Sequence, residues 1–519
     1  MQRKTILRLI LGDQLNINHS WFKAPNPQVL YLMMEMRQET EYVAHHIQKI
    51  AGFFAAMRCF AAELENQGHD VKYFKIDDSG NTQSLVQNIE RIISINNIEQ
   101  FQYQEPDEYR LDTQLSTFCK NLNIKSLCVD SEHFYSTRTE LGGFFKGKKQ
   151  FLMESFYRHM RVKHHILMDG PKPEGGEWNF DKLNREKYNG QIPVPEAISF
   201  KNNLIHIKES IENHNSKSLE PIQSIGEIAW EDFNWPIDRK QALLHLDYFV
   251  KYCLPHFGTY EDAMSTKYWS LFHSRLSFAL NIKLLTPKEV IDSAVGVWHN
   301  SGGKIEIRQI EGFVRQIVGW REYMRGIYWN QMPEYEHLNF FNHQSALPQW
   351  FWNGNTKMNC LKHTITGSLH HAYAHHIQRL MIAGNFVLLA GVHPDEVDRW
   401  YLGIYIDAIQ WVEITNTRGM SQYADGGIVG TKPYVSSANY IDKMSDYCAK
   451  CYYAKNLKYG ERACPFNSLY WHFYHRNEEK LAKNPRIGMM YVTWKKMPDK
   501  EKNSILAQAE KYLSIIDEL

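Results

Sequence analysis

Short apolar runs alternate with helix-period segments over the first quarter of the chain. Thr5–Leu11 is almost unbroken apolar sequence and stops at Gly12-Asp13-Gln14; Gln28–Met34 is a second such run. Glu41–Leu64 carries apolar residues at helical spacing, Asp70–Ile76 is strand-like and Ser84–Asn96 helical, and Ile98–Tyr103 and Ser126–Asp130 are again strand-like. Short apolar strands separated by helical segments predict a parallel, doubly wound sheet. Ligands on such sheets bind at the carboxyl ends of the strands. Asp13, Gln14 and Glu35 fall at such ends, although helix capping or loop solvation would use the same side chains.

From Ser131 the alternation stops. Phe144-Phe145-Lys146-Gly147-Lys148-Lys149 and Phe156-Tyr157-Arg158-His159-Met160-Arg161-Val162-Lys163-His164-His165 interleave aromatic and basic residues, and Pro171–Gly176 is loop-like. The stretch 131–222 reads as an interdomain linker. Basic residues beside aromatics suit a surface that tracks a nucleic-acid backbone; a solvated helix face has the same composition. On the first reading Lys146, Lys148, Lys149, Arg158, Arg161 and Lys163 contact phosphates. From about Gln223 helical periodicity takes over, at Lys240–Cys253, Val290–Asn300, Glu311–Tyr328, Ala372–Leu389, Asp395–Trp411 and Ser504–Leu519. The expected architecture is an α/β N-terminal domain over residues 1–130, built on a doubly wound parallel sheet, and an all-α C-terminal domain over 223–519.

Charge and cysteine usage narrow the chemistry. With a formal net charge of +1, a nucleic-acid partner has to be met by a local basic patch rather than by the field of the whole protein. No run of about 18 apolar residues occurs, so no membrane span is expected. The stretch from Met1 to Asp13 is interrupted by Arg8 and followed by no small-residue cleavage site; it reads as a buried strand, and a cytoplasmic protein is expected. Aromatics make up 13% of the chain, which a large core explains as well as electron-hopping stations do.

Cys59, Cys119, Cys128 and Cys253 are scattered singly, as core thiols are. Cys448-x-x-Cys451 is followed by Cys464-Pro465. A two-residue gap lets two sulfurs converge on one metal centre, and Cys-Pro also occurs in ferredoxin-type runs. Cys360 is the candidate fourth ligand, with Cys253 the other cysteine in that half. Zinc also takes four thiolates, so spacing leaves zinc and iron–sulfur both open. A thioredoxin-like pair is disfavoured by the lack of βαβ context.

Five segments of the helical half carry a resemblance: Phe272-His273-Ser274-Arg275-Leu276-Ser277, Gly312–Tyr323, Ala346–Trp352, Ala372–Leu380 and Asn416–Gly427. With the four cysteines, Gly12-Asp13-Gln14-Leu15, Met34-Glu35, Tyr42-Val43 and His45-His46, they resemble the iron–sulfur prokaryotic (6-4) photolyases and bacterial cryptochromes of the photolyase/cryptochrome superfamily. The similarity spans nearly the whole chain.

The resemblance implies a [4Fe–4S] cluster on Cys360, Cys448, Cys451 and Cys464. It implies FAD in the helical domain and a 6,7-dimethyl-8-ribityllumazine antenna near Asp13, Gln14 and Glu35. Ser274, Leu276 and Ser277 match the phosphate-binding segment. Arg379 and Asp407 match an ion pair beside the isoalloxazine, and Glu413 a side chain facing N5; Gln316 and Arg321 complete the expected pocket. His375, His376 and Tyr434 match active-site residues, and Trp352, Trp400 and Tyr401 an electron route to the surface. The implied activity is that of a carbon–carbon lyase, a (6-4) DNA photolyase. Light-excited reduced flavin passes an electron to a lesion flipped out of UV-damaged DNA, and a histidine supplies the proton. A monomer, nucleoid-associated when bound to DNA, is expected. The alternative is a cryptochrome-like blue-light photoreceptor without repair activity; the histidines and Tyr434 favour the enzyme.

Overall fold

A computed structural model describes residues 3–519. Five parallel strands form one sheet: β1 (Ile6–Leu9), β2 (Val29–Met34), β3 (Val71–Phe74), β4 (Gln100–Gln104) and β5 (Lys125–Val129), in the order β3-β2-β1-β4-β5. Ile6 of β1 pairs with Val29 of β2 on one side and Gln100 of β4 on the other. Strand order therefore reverses at β1, and the loop after it is a topological switch point where ligands of such sheets collect. Helices α1 (Ile47–Asn66), α2 (Leu85–Asn96) and α3 (Tyr109–Lys120) connect the strands. Each predicted strand is present within a few residues, whereas α3 has no counterpart in the predicted pattern. It buries only Leu111, Leu115 and Phe118, which leaves a thin apolar stripe.

Part of the segment read as a linker is packed helix, whereas residues 168–204 are mostly irregular and exposed or half-buried. Helices Glu140–Phe144 and Met153–His164 lie within it, and Phe156, Tyr157 and Met160 are fully buried. Arg161 is buried as well. Its guanidinium donates to the carbonyls of Ile166, Leu167 and Trp178, so it cannot meet a phosphate, contrary to expectation. Arg158 pairs with Glu154 and Lys163 with Glu140, whereas Lys146, Lys148 and Lys149 are exposed.

The remainder is helical. Two predicted helices are each broken. Ala372–Leu389 does not form one helix: Asn359–His371 ends at Ala372, in a left-handed conformation (φ 51°), and a new helix starts at His376. Asp395–Trp411 splits into Pro394–Ile404 and Gln410–Ile414. The two breaks face each other, with the Ile406 N–H donating to the Ala372 carbonyl (2.9 Å). Four stretches have π-helical hydrogen bonding: Phe249–Cys253, Arg315–Arg321, Gln378–Gly384 and Thr415–Ser421. Such bulges cost regular pairing and concentrate at functional sites.

The halves are pinned by buried polar contacts. Lys283, from the helical half, donates to the Asp107 carboxylate (2.6 Å) and the Asp13 carbonyl (2.7 Å). His46 caps α1 and reaches across to the Leu369 carbonyl (2.8 Å). Among the described residues no helix is long and apolar enough to cross a membrane.

Candidate functional site

The two facing breaks bring Arg379 and Asp407 together. Asp407 lies in the turn between two helices, and Arg379 in the first turns of the helix that starts at His376. The guanidinium meets both carboxylate oxygens (3.0 and 3.1 Å), a bidentate, charge-assisted pair. Burial opposes the charge on Arg379, but Asp407 outweighs it and the group is held protonated. The guanidinium also lies 3.7 Å from the centre of the Tyr405 ring. Ser277 opens a short helix and donates its hydroxyl to Asp407 Oδ2 (2.6 Å). That proton is committed to Asp407, and the Leu276 amide points to the Ser274 hydroxyl oxygen (3.5 Å). Asn281 donates to the Asp407 carbonyl.

Glu413 is buried one helical turn beyond this break. Thr417 donates to its Oε1, and Oε2 has no partner. Burial, reinforced by Asp398, pushes its pKa well above the carboxylate range. A neutral carboxyl carries a proton to give. Gln316 is half-buried within a π-helical stretch. Arg321, from the same stretch, is set further back. It contacts Asn281 and His133, 3.1 Å from the latter's Nε2, and packs on Trp411. It reaches Asp407 only through Asn281.

His375 and His376 stand at the start of the helix bearing Arg379. The His375 ring stacks on His273 at 4.2 Å with the planes 13° apart, and both of its ring nitrogens are buried without partners. His376 has an exposed surface, yet burial drives its pKa down to about 4, with Arg379 adding to the effect. Burial also lowers the pKa of His273 to about 3 and holds that of His375 well below the ordinary histidine value. All three imidazoles are therefore neutral at rest. His273 lay inside a motif quoted above, but nothing in its spacing distinguished it from a core residue. Tyr434 is half-buried in the electrostatic neighbourhood of Arg185, Asp181 and Arg486; no hydrogen bond or ring contact joins it to the histidines among the described residues.

Three of the aromatic rings are in contact. Tyr401 donates to the Arg379 carbonyl (2.7 Å) and its ring is 5.3 Å from Trp400. Trp400 packs edge-on against Phe351 at 5.0 Å. Trp352, next along the chain, is 43% exposed and stands outside this set of ring contacts. Phe351 was not singled out in the sequence.

At the carboxyl ends of β1 and β2 a cavity of about 110 Å³ is lined by Asp13, Glu35, Tyr42, His45 and Lys49, and closed by Ala408 and Ile409 of the Asp407 turn. Glu35 is fully engaged by Arg58, Tyr73 and the Ile76 amide. Burial, against the attraction of Lys283, lifts the Asp13 pKa to about 7. Gln14 turns away from the cavity and ties the end of β1 to the carbonyls of Gln104 and Glu105. His45 offers two unpartnered ring nitrogens, and Lys49 donates to the Leu402 carbonyl (2.8 Å).

Cys448 and Cys451 share one short turn, Cys360 comes from helix Asn359–His371 and Cys464 precedes helix Pro465–Arg476; the four line one cavity with Met358, Tyr447, Tyr453 and Phe466. None is in a disulfide. Burial, with contributions from neighbouring thiols, pushes Cys464 up to about 12; for Cys448, burial and then Asp442 and Cys451 push the pKa up to about 11. Lys455 is the one cationic side chain on this lining, and four cysteine sulfurs facing one space are donors whose chemistry fits a cationic centre. Among the described residues no His, Cys, Asp or Glu side chains converge closely enough to hold a single metal ion.

The comparisons with known proteins agree with this picture. A bacterial class III photolyase from Agrobacterium tumefaciens superposes with a TM-score of 0.57 at 13% identity, over 99% of this chain and 98% of that one. A Synechocystis cryptochrome gives 0.52 at 11% identity, over 99% and 94%. The family described as deoxyribodipyrimidine photo-lyase-related protein matches residues 8–225. The fold is thus that of the photolyases and cryptochromes. Within that class, the (6-4) photolyase of Agrobacterium fabrum is 42% identical over 512 residues, 98% of this chain and 99% of that protein. The chain belongs to the (6-4) photolyase family.

Proposed function

We propose that this protein is a (6-4) DNA photolyase that binds UV-damaged DNA, holds FAD beside Arg379 and Asp407, and reverses the lesion in light. The observation that carries this reading is the convergence of a buried, bidentate Arg379–Asp407 pair and a stacked, neutral histidine group at one cleft, in a chain 42% identical to a (6-4) photolyase. The fit to a polar cofactor rests on buried atoms without partners: His273 Nε2, both His375 ring nitrogens, Glu413 Oε2 and Trp411 Nε1. When bound, reduced FAD supplies the light-driven electron.

The chain's own residues do the rest. Arg379 presents fixed positive charge, Ser274 and the amides around Leu276 hold phosphate oxygens, and Glu413 keeps a proton available. His375 and His376 provide the proton for the lesion. Protonating either requires negative charge nearby, which lesion-bearing DNA brings. Lys146, Lys148 and Lys149 meet phosphates at the surface. Trp352, Trp400 and Tyr401, with Phe351, return electrons from the surface for reduction.

The four cysteines would hold a [4Fe–4S] cluster rather than zinc. The four side chains line one cavity, and Cys464-Pro465 is a pairing also found in ferredoxin-type runs. The cavity at β1 and β2 would take the lumazine antenna, with Asp13, His45 and Lys49 as its polar contacts. The test is illumination of the reduced protein with DNA carrying a defined (6-4) or cyclobutane lesion. Restored bases from the (6-4) substrate support the reading; none from either lesion, with FAD bound, refutes it.

A further inference from the structure

A separate cavity lies on the far side of the aromatic turn Gln349–Trp352. It measures about 470 Å³ and is bounded by His343, Ala346, Leu347, Arg476, Leu513 and Ile516. That volume is within the range of about 300–1,000 Å³ typical of small-molecule sites. None of the flavin, antenna or cysteine residues borders it.

Arg476 gives the cavity its chemistry. It projects from helix Pro465–Arg476, and one nitrogen, Nη2, donates to the Leu388 carbonyl (3.1 Å) and lies 3.3 Å from His343 Nε2. No carboxylate pairs with it among the described residues, whereas Arg379, Arg315 and Arg418 each meet one. Burial lowers its pKa to about 10, with no acidic neighbour to raise it again. Nε and Nη1 have no acceptor among the described residues and are not enclosed by protein, and the side chain lines the cavity. His343 is buried and held neutral, its pKa near 3 through burial and then Arg476 and Lys480, so it adds an acceptor but no balancing negative charge. The one carboxylate on the rim, Asp517, accepts from the Gln349 amide through Oδ1 (2.7 Å) and makes no ion pair with Arg476.

The backbone accommodates this arrangement. Gly391 is left-handed (φ 78°), and a Cβ there would stand 3.3 Å from Arg476 Nη2. The glycine lets the guanidinium lie against the chain. Beside the cation, Leu347, Leu513 and Ile516 present an apolar wall. A desolvated cation without a partner is costly, and an oxyanion placed on its free edge removes that cost through charge-assisted hydrogen bonds.

We propose that this cavity binds a small organic oxyanion, a phosphate or carboxylate on an apolar body, with the anionic group on Arg476 and the body against Leu347, Leu513 and Ile516.

The test is calorimetric titration of the full-length protein with inorganic phosphate, phenyl phosphate and benzoate. Phenyl phosphate or benzoate, whichever carries the preferred anion, should bind at least tenfold more tightly than inorganic phosphate, because only it fills the apolar wall. Arg476→Gln should weaken that binding at least tenfold. Ala346→Trp fills the cavity, leaves Arg476 in place and should abolish binding of the aromatic ligand. If Arg476→Gln does not fold, the Ala346→Trp result decides. No binding by the unaltered protein, or binding that survives both substitutions, overturns the proposal.

Discussion

His273 stacks on His375 with the ring centres 4.2 Å apart. The contact joins the Phe272–Ser277 motif to the start of the helix bearing Arg379, so His273 positions His375 rather than acting on substrate itself. His273→Phe keeps a flat ring and should lower repair less than tenfold. His273→Ala frees His375 and should cost more than the Phe variant. His375→Ala and His376→Ala remove the proton donors. Each should lose about 10²–10⁴-fold in repair, the usual worth of general acid catalysis, while bound FAD, read by its absorbance, is unchanged. Normal repair by both Ala variants would remove the acid assignment.

His375 and His376, the proposed proton donors, both rest far below the usual histidine range, His376 at about 4. Burial and the Arg379 charge disfavour the cation, and negative charge favours it. Lesion-bearing DNA should therefore raise the His376 pKa toward neutrality. Nuclear magnetic resonance of labelled histidine, with and without DNA, reads this directly. A value that stays near 4 in the complex would mean that the donor acts as neutral imidazole.

Asp407 has two roles, countering Arg379 and accepting from Ser277. Asp407→Asn leaves the guanidinium buried without its charge partner, which should cost about 3–5 kcal/mol and release FAD. Replacing both partners, Arg379→Met with Asp407→Leu, should cost less in stability than Asp407→Asn alone, although FAD binding is still lost. Chemical denaturation with flavin release as a second signal separates the two effects.

The sheet was legible because its strands are short apolar runs, and Ile6–Leu9 and Val29–Met34 fall where the pattern puts them. The site was legible as residue types but not as a shape. Helical periodicity runs through Ala372–Leu389 and Asp395–Trp411, yet the chain breaks in both, because pairing Ile406 with Ala372 and Arg379 with Asp407 outweighs continuous helix. Arg161 misled for a related reason. A basic run gives no sign of which of its members points inward, and the carbonyls that satisfy Arg161 are brought to it by the chain's return at Ile166, Leu167 and Trp178. Of the cysteines, spacing marked Cys448, Cys451 and Cys464, whereas Cys360 lies far away in sequence and joins them only in the fold.

Cys448→Ala removes one wall of the thiol cavity. If the four cysteines hold one cluster, this variant should lose iron and most of its solubility, since Met358, Tyr447 and Phe466 pack around the same space. Iron analysis of the purified variant is the measurement. A soluble, iron-free protein with full repair activity would separate the cysteines from any structural role.

His46 makes acid stability a test of how the two halves are joined. Its Nδ1 accepts from the Gln48 amide (3.0 Å), and its Nε2 meets the Leu369 carbonyl (2.8 Å). That pattern needs a neutral ring protonated on Nε2. Gly226, left-handed at φ 73°, leaves the space the ring fills. Burial lowers the pKa to about 4 from an ordinary 6.5. Between those values the unfolded chain binds a proton that the folded chain refuses, so stability falls as pH drops through this window. His46 alone is worth about 3 kcal/mol there, at roughly 1.4 kcal/mol per pKa unit. His46→Asn keeps a side-chain cap on α1 but removes the titration. It should be less stable than the unaltered protein at pH 7 and lose less stability on acidification to pH 4, as measured by urea midpoints. Equal pH slopes for the two proteins would show that this contact does not govern acid opening.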